Sequence, residues 1–179
     1  MVQGTSERKL QVMKDIRVGV GGLVFTLIVI LTSAACIAQI PSSLIIQSLI
    51  VSEVAAKFSM VMLAWMGISA REGINTYFVN AMHSQHRVRL IITTLSLSFA
   101  LSVLTLPIMG IFTLISGMVT GIVVLLVANR QLKGVTGDVF GAANEVSRMA
   151  SLIMIASGAF LIPLTHWLWL TPTLPYFPP

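Results

Sequence analysis

Charge is what this chain has least of. Asp, Glu, Lys and Arg make up 9% of its 179 residues, where a soluble globule carries about 25%. With 56% hydrophobic residues and a mean hydropathy of +0.93, it cannot cover a water-facing surface. That excludes soluble enzymes and binding modules, and leaves an integral membrane protein of one compact helical domain. Cysteine is nearly absent too: Cys36 stands alone, so no intrachain disulfide can form. The "LTSAAC" before it faintly resembles a lipoprotein cleavage site, but the apolar run is too long and more such runs follow. Acidic residues number six against eleven Lys and Arg, a net charge of +5. In a membrane protein that excess marks cytoplasmic loops rather than nucleic-acid binding.

What the chain does have is apolar length. Five stretches, 18–38, 44–68, 90–106, 108–128 and 148–168, are long enough, or nearly so, to cross about 30 Å of hydrocarbon. The expected fold is all-α, a polytopic bundle of about five transmembrane helices, because lipid cannot satisfy open backbone groups. Pro107 and Gly110 mark a tight link between the third and fourth stretches, a bent helix pair or a re-entrant turn.

The few charges alternate from one connection to the next. Arg8, Lys9, Lys14 and Arg17 precede the first stretch; "QIPSS" (39–43) has none; Arg71, Arg87 and Arg89 follow the second stretch. The 107–110 turn has none, residues 129–148 carry Arg130, Lys133 and Arg148, and the tail has none. This pattern puts the N-terminus and segments 1–17, 69–89 and 129–147 in the cytoplasm, within one membrane domain over 1–179. Trp167, Trp169 and Tyr176 then suit an outer aromatic belt.

Glu53 and Lys57 depart from this alternation. They lie four residues apart in mid-membrane, with Glu first, the better order for a helical pair. A lone charge there costs about 2.5–3.5 kcal/mol, so they read either as a self-neutralising pair or as the polar wall of a substrate cavity. Arg71, in "AREG", is either a snorkelling anchor or a phosphate clamp. His83 and His86 have metal-compatible spacing, but no acid or cysteine lies close in sequence. Asp15, between Lys14 and Arg17, is either a helix cap or a metal-binding carboxylate. "GMVTG" (117–121) reads as a helix-packing GxxxG.

The densest polar stretch is "KGVTGDVFGAANEV", 133–146. Gly134 and Gly137 break a helix, and Thr136 or Asp138 can cap the next. On a helix from Asp138, the residues Asp138, Gly141, Ala142 and Glu145 share one face. Seven residues rise about 10 Å, so the two acids cannot share one ion unaided. Capping explains Thr136 and Asp138, but not Asn144, Glu145 or an interior Gly141.

This stretch resembles the hallmark of the cobalamin-5′-phosphate synthase family, the adenosylcobinamide-GDP ribazoletransferases, roughly G-G-x-T-G-D-x-x-G-A-x-x-E. Gly134, Thr136, Gly137, Asp138, Gly141, Ala142 and Glu145 match, and Lys133 stands in place of a glycine. "ERKLQVMKDIRVGVGG" (7–22) and "AREGI" (70–74) are similar to two further family blocks, in the same order.

The resemblance implies a membrane-bound transferase of cobalamin biosynthesis. It would join adenosylcobinamide-GDP to α-ribazole or its 5′-phosphate, release GMP and use Mg²⁺. It further implies Asp15 and Asp138 at the metal, Asp138, Glu145 and Asn144 in catalysis, and Arg17, Arg71, Lys14, Gly137 and Gly141 on substrate. The implied partners are the two substrates and the lipid bilayer, with no nucleic acid; a homo-oligomer stays open.

The family's upstream aspartate-rich block, D-G-x-A-D-x-x-D-G, has no counterpart here, so the chain reads as N-truncated relative to the family or completed by a missing N-terminal portion. A small transporter or channel subunit, with Glu53 and Lys57 on its path, and a structural membrane partner are the alternatives. On the transferase reading, residues 1–179 alone are expected to release little or no GMP; robust release by the purified chain would overturn that expectation.

Overall fold

The computed structural model of the chain describes residues 19–161. Lys14, Asp15, Arg17 and the aromatic residues of the tail lie outside them. The elements run α1 (Val20–Gln39), a short 3-10 turn (Ser42–Leu44), α2 (Ile45–Met66), α3 (Ile74–Met82), α4 (Arg87–Thr105), α5 (Pro107–Leu132) and α6 (Gly137–Leu161).

The α2, α5 and α6 helices pack on one another as a three-helix core; α4 lies against α2 and α5, and α1 lies along α6. Among the described residues, four segments are long and apolar enough to cross a membrane: Val20–Gln39, Ser42–Met66, Arg87–Thr105 and Pro107–Leu132. The fifth apolar stretch begins inside α6 and runs past the described residues. Large apolar side chains on α1, α4 and α5, among them Phe25, Leu31, Phe99, Leu104 and Leu126, are exposed. Such a surface belongs in lipid, and the chain is an all-α, multi-pass membrane protein.

Breaks in the helices follow local chemistry. Leu106 alone separates α4 from α5, with Pro107 at the start of α5, where its missing N–H is no loss. The pair is therefore a helical hairpin rather than one bent helix. Gly110 lies so close to Ser102 of α4 that a side chain at 110 would strike the Ser102 carbonyl.

The core is a seam of small residues. On α2 it is Ser48, Ser52, Ala55, Ala56 and Ser59; on α5 Gly110, Thr113, Gly117 and Gly121; on α6 Ala143, Ser147 and Ser151, all buried. A Cβ at Gly117 would sit 2.9 Å from the Ala55 carbonyl oxygen, and one at Gly121 would sit 3.0 Å from Ser59 Cβ. The GxxxG therefore serves close helix approach. Serine hydroxyls bridge the helices at long range: Ser59 Oγ to the Ala143 carbonyl, Ser147 Oγ to Gly117 and Ser151 Oγ to Thr113, each at 3.5 Å. Larger side chains fill the space beyond the seam, Leu63, Leu125, Val135 and Phe140 towards one end and Val51, Leu106, Leu152 and Ile155 towards the other.

The two ends of the bundle differ in charge. The turns 40–44 and 105–107 carry none, whereas Arg71, Glu72, Arg87, Arg89, Arg130, Lys133 and Asp138 gather at the opposite end. Replacing Gly117 with Val should cost about 1–3 kcal/mol by overpacking, read as a lower melting temperature in detergent; an unchanged melt would contradict the close α2–α5 approach.

Candidate functional site

At the charged end, two loops distant in sequence are stitched together. The Val135 N–H donates to the Ile68 carbonyl at 2.8 Å, and the Ala70 N–H donates to the Val135 carbonyl at 3.0 Å. This makes a single parallel bridge between Ser69 and Val135. Asn75, at the start of α3, braces it: its Nδ2 donates to the Val135 carbonyl at 3.1 Å and to Ser69 Oγ at 2.7 Å. Ser69 Oγ and Thr76 Oγ1 both donate to the Arg71 carbonyl, at 2.7 and 3.2 Å. The backbone at Arg71 is therefore fixed from several sides. Gly134 has φ +156°, and a side chain there would collide with the Ile68 carbonyl, so only glycine lets the two strands of chain meet.

From this clasp α6 starts. Thr136 is fully buried and caps it: its carbonyl accepts from the Phe140 N–H at 3.1 Å and its Oγ1 from the Val139 N–H at 3.4 Å. Of the two candidate caps, Thr136 does the work, which leaves the Asp138 carboxylate outside, in the first turn, 3.7 Å from Arg71. Asp138 is 65% exposed; such a pair contributes at most about 1 kcal/mol. Its interest is chemical: a guanidinium and a carboxylate stand together at a helix N-terminus, where anions are favoured. Gly137 and Gly141 lie on the same exposed surface, and a Cβ at either would meet nothing within 4 Å. Packing does not require these glycines.

A second polar constellation lies deeper. Glu53 accepts from Lys57 Nζ at 2.9 Å through one carboxylate oxygen and from Arg148 Nε at 2.8 Å through the other. Arg148 Nη1 donates to Glu145 at 2.8 Å, and Asn144 Nδ2 donates to the other Glu145 oxygen at 2.9 Å. Lys57 Nζ donates to Asn144 Oδ1 at 2.9 Å, which closes the ring. Five side chains, three from α6 and two from α2, thus form one circuit of two acids, two bases and an amide. Glu53, Lys57 and Arg148 floor an open groove of about 640 Å³ whose walls include Leu49, Ile50, Leu97 and Leu101.

The residues singled out from sequence therefore fall into three groups. Arg71, Gly137, Asp138 and Gly141 come together at the loop end. Asn144 and Glu145 join Glu53 and Lys57 instead, on an α6 that extends back to Gly137, so only 133–136 connect α5 to α6. Lys14, Asp15 and Arg17 lie outside the described residues. His83 is occupied at the end of α3, its Nδ1 2.8 Å from the Val79 carbonyl. Among the described residues no three His, Cys, Asp or Glu side chains group as metal ligands.

Sequence reasoning missed two features. The brace of Ser69, Asn75 and Thr76 carried no local signal, because its partner, Val135, is about sixty positions away. Arg148 was legible in principle, since it follows Glu145 by three residues, the spacing of neighbours on one helix face.

These features define a multi-pass helical membrane protein with a loop-built polar site at one end. The chain belongs to the cobalamin-5-phosphate synthase family, whose sequence model matches residues 1–156. It is 30% identical to the adenosylcobinamide-GDP ribazoletransferase of Methanocella arvoryzae, over 85% of this chain and 62% of that protein. It is 28% identical to the enzyme of the same name from Methanococcoides burtonii, covering 85% and 58%, and 26% identical to that from Thermococcus kodakarensis, covering 87% and 64%. The chain thus spans about three-fifths of the length of these relatives. No solved structure matches it.

Lys133 ends α5 in the left-handed conformation, φ 58° and ψ 31°, which glycine adopts freely and other residues at a cost of roughly 1–2 kcal/mol. Lys133→Gly should raise stability by about 1 kcal/mol, seen as a higher melting temperature; a lower one would contradict this account of the helix end.

Proposed function

We propose that this chain carries the diphosphate-handling face of a membrane transferase that joins adenosylcobinamide-GDP to α-ribazole or its 5′-phosphate and releases GMP. The observation that carries this reading is the clasp between 68–76 and 133–138. It places the planar Arg71 fork beside Asp138 at the N-terminus of α6. A guanidinium is suited to bidentate phosphate contact, and the open glycine surface lets a ligand approach the helix backbone.

In such a reaction the ribazole hydroxyl oxygen bonds to the phosphorus nearer the cobinamide. The bond from that phosphorus to the bridging oxygen breaks, and GMP departs with that oxygen. Positioning and charge stabilisation carry most of the catalysis in phosphoryl transfer. Arg71 and the first-turn N–H groups of α6 would hold the diphosphate, and Asp138 would orient the attacking hydroxyl or take its proton.

Mg²⁺ is part of the proposal, with Asp138 contributing a ligand. The described residues do not by themselves fit a complete magnesium site: among them no three metal-ligating side chains group together, and Glu145 is engaged by Arg148 and Asn144. Asp15 is the second proposed metal-binding carboxylate, with Lys14 and Arg17 on the phosphates. The excess of Lys and Arg at the loop end supports a cytoplasmic active face in the cell membrane.

Introduced into the full-length context of a relative's enzyme, Asp138→Asn should reduce GMP release by 10²-fold or more (an order-of-magnitude estimate) with normal membrane insertion. Gly141→Ala should gain roughly 0.5–1 kcal/mol of helix stability while losing transfer activity. Full cobalamin synthesis by both variants would sink the assignment.

A further inference from the structure

We propose that the ring of Glu53, Lys57, Asn144, Glu145 and Arg148 is a register lock. It positions α6 on α2, and thereby sets Asp138 against Arg71. The two members of that contact are carried by the two helices the ring joins: Arg71 follows the end of α2 by a few residues, and Asp138 lies in the first turn of α6. The Ser69–Val135 bridge joins the two loops at the end, and the ring holds the helices behind them, so a slide or rotation between the helices strains the bridge and displaces the pair.

The middle of the interface does little to prevent such movement. It is built from small residues such as Ser59 and Ala143, with larger side chains packed only towards its ends, Leu63 with Phe140 at one and Val51 with Leu152 at the other. The hydroxyl contact across it, Ser59 Oγ to the Ala143 carbonyl, is long at 3.5 Å. Small residues permit close approach in many registers, and in a membrane no hydrophobic force chooses among them. A slip of one residue turns a helix by about 100° and moves it 1.5 Å, enough to carry Asp138 away from Arg71.

The ring discriminates where the seam does not. All five contacts are 2.8–2.9 Å, two of them, Lys57 to Asn144 and Arg148 to Glu53, cross between the helices, and each carboxylate uses both oxygens. A shifted register would leave charges unpaired at membrane depth, the costly state. Within the circuit Glu53, Lys57 and Arg148 are positioning residues. Asn144 and Glu145, on the same helix as Asp138, act through it rather than on substrate. The functional meaning rests on the reading of Arg71 and Asp138 above, but the geometry can be tested without it.

The test is thiol cross-linking in the full chain in nanodiscs. Arg71→Cys and Asp138→Cys, in a Cys36→Ser background, are treated with a short bis-maleimide. The intact ring should give efficient cross-linking. An apolar ring, Glu53→Met, Lys57→Met, Glu145→Gln and Arg148→Met, should melt at the same or a higher temperature, since apolar replacement of a whole ion network is often neutral or stabilising. Its cross-linking should nevertheless fall roughly fivefold or more as other registers become populated. A ring that only stabilises would give the reverse, a lower melt with cross-linking unchanged, and that result overturns the proposal. Should the apolar variant fail to insert, Glu53→Asp with Arg148→Lys keeps the charges but shortens the reach. Reduced cross-linking is expected there, and wild-type yield again overturns the lock. Loss of GMP release plays no part in this readout, so failure of the lock and failure of the transferase reading are separable.

Discussion

The fold depends on a constraint set by its surroundings: charge inside an apolar bundle must be neutralised where it stands. Glu53 and Lys57 sit within a helix apolar enough to span the membrane, and Glu145 and Arg148 stand beside them on α6. Water would make these four groups independent. In the bundle each is committed to its neighbours, and the commitment ties α2 to α6. The sum of charge is zero and both carboxylates are filled, so the circuit is stable as a unit and costly in any partial form.

That constraint combines with a second, the need for close approach. The α2, α5 and α6 helices meet through small residues, which bring backbones near enough for van der Waals contact to drive association in lipid. The same choice moves the bulky side chains to either side of the seam, Leu63 and Phe140 towards one end and Val51 and Leu152 towards the other. Glycine, alanine and serine give proximity, and the charged ring adds direction between α2 and α6. At the loop end, the Ser69–Val135 bridge and the Asn75 brace convert this arrangement into a surface.

Much of this was legible in the sequence, for identifiable reasons. Apolar run length set the helices, because lipid permits little else. The alternation of charge marked which connections share an end. The GxxxG of α5 announced close packing, and the spacing of Glu53 and Lys57 announced a pair. What could not be read was partnership across the chain. Asn144 and Glu145 are unexplained by a helix cap because the groups that explain them are Lys57, on another helix, and Arg148, one turn further along α6. Thr136 and Asp138 were both plausible caps; burial of Thr136 decided between them, and burial is a tertiary property.

In the sequence, Arg71 and Asp138 are separate landmarks, far apart along the chain. The backbone clasp makes them a pair, and the glycine at 134 is the residue that permits the clasp, since any side chain there would meet the Ile68 carbonyl. The same reasoning separates the glycines of the motif by physical cause. Gly134 is required by the fold; Gly137 and Gly141 face open space and are not. A glycine kept inside a helix without a packing reason costs stability, and the cost is intelligible if the bare backbone is what a ligand approaches. The motif is then two devices in succession, a hinge that builds the site and an open helix face that presents it.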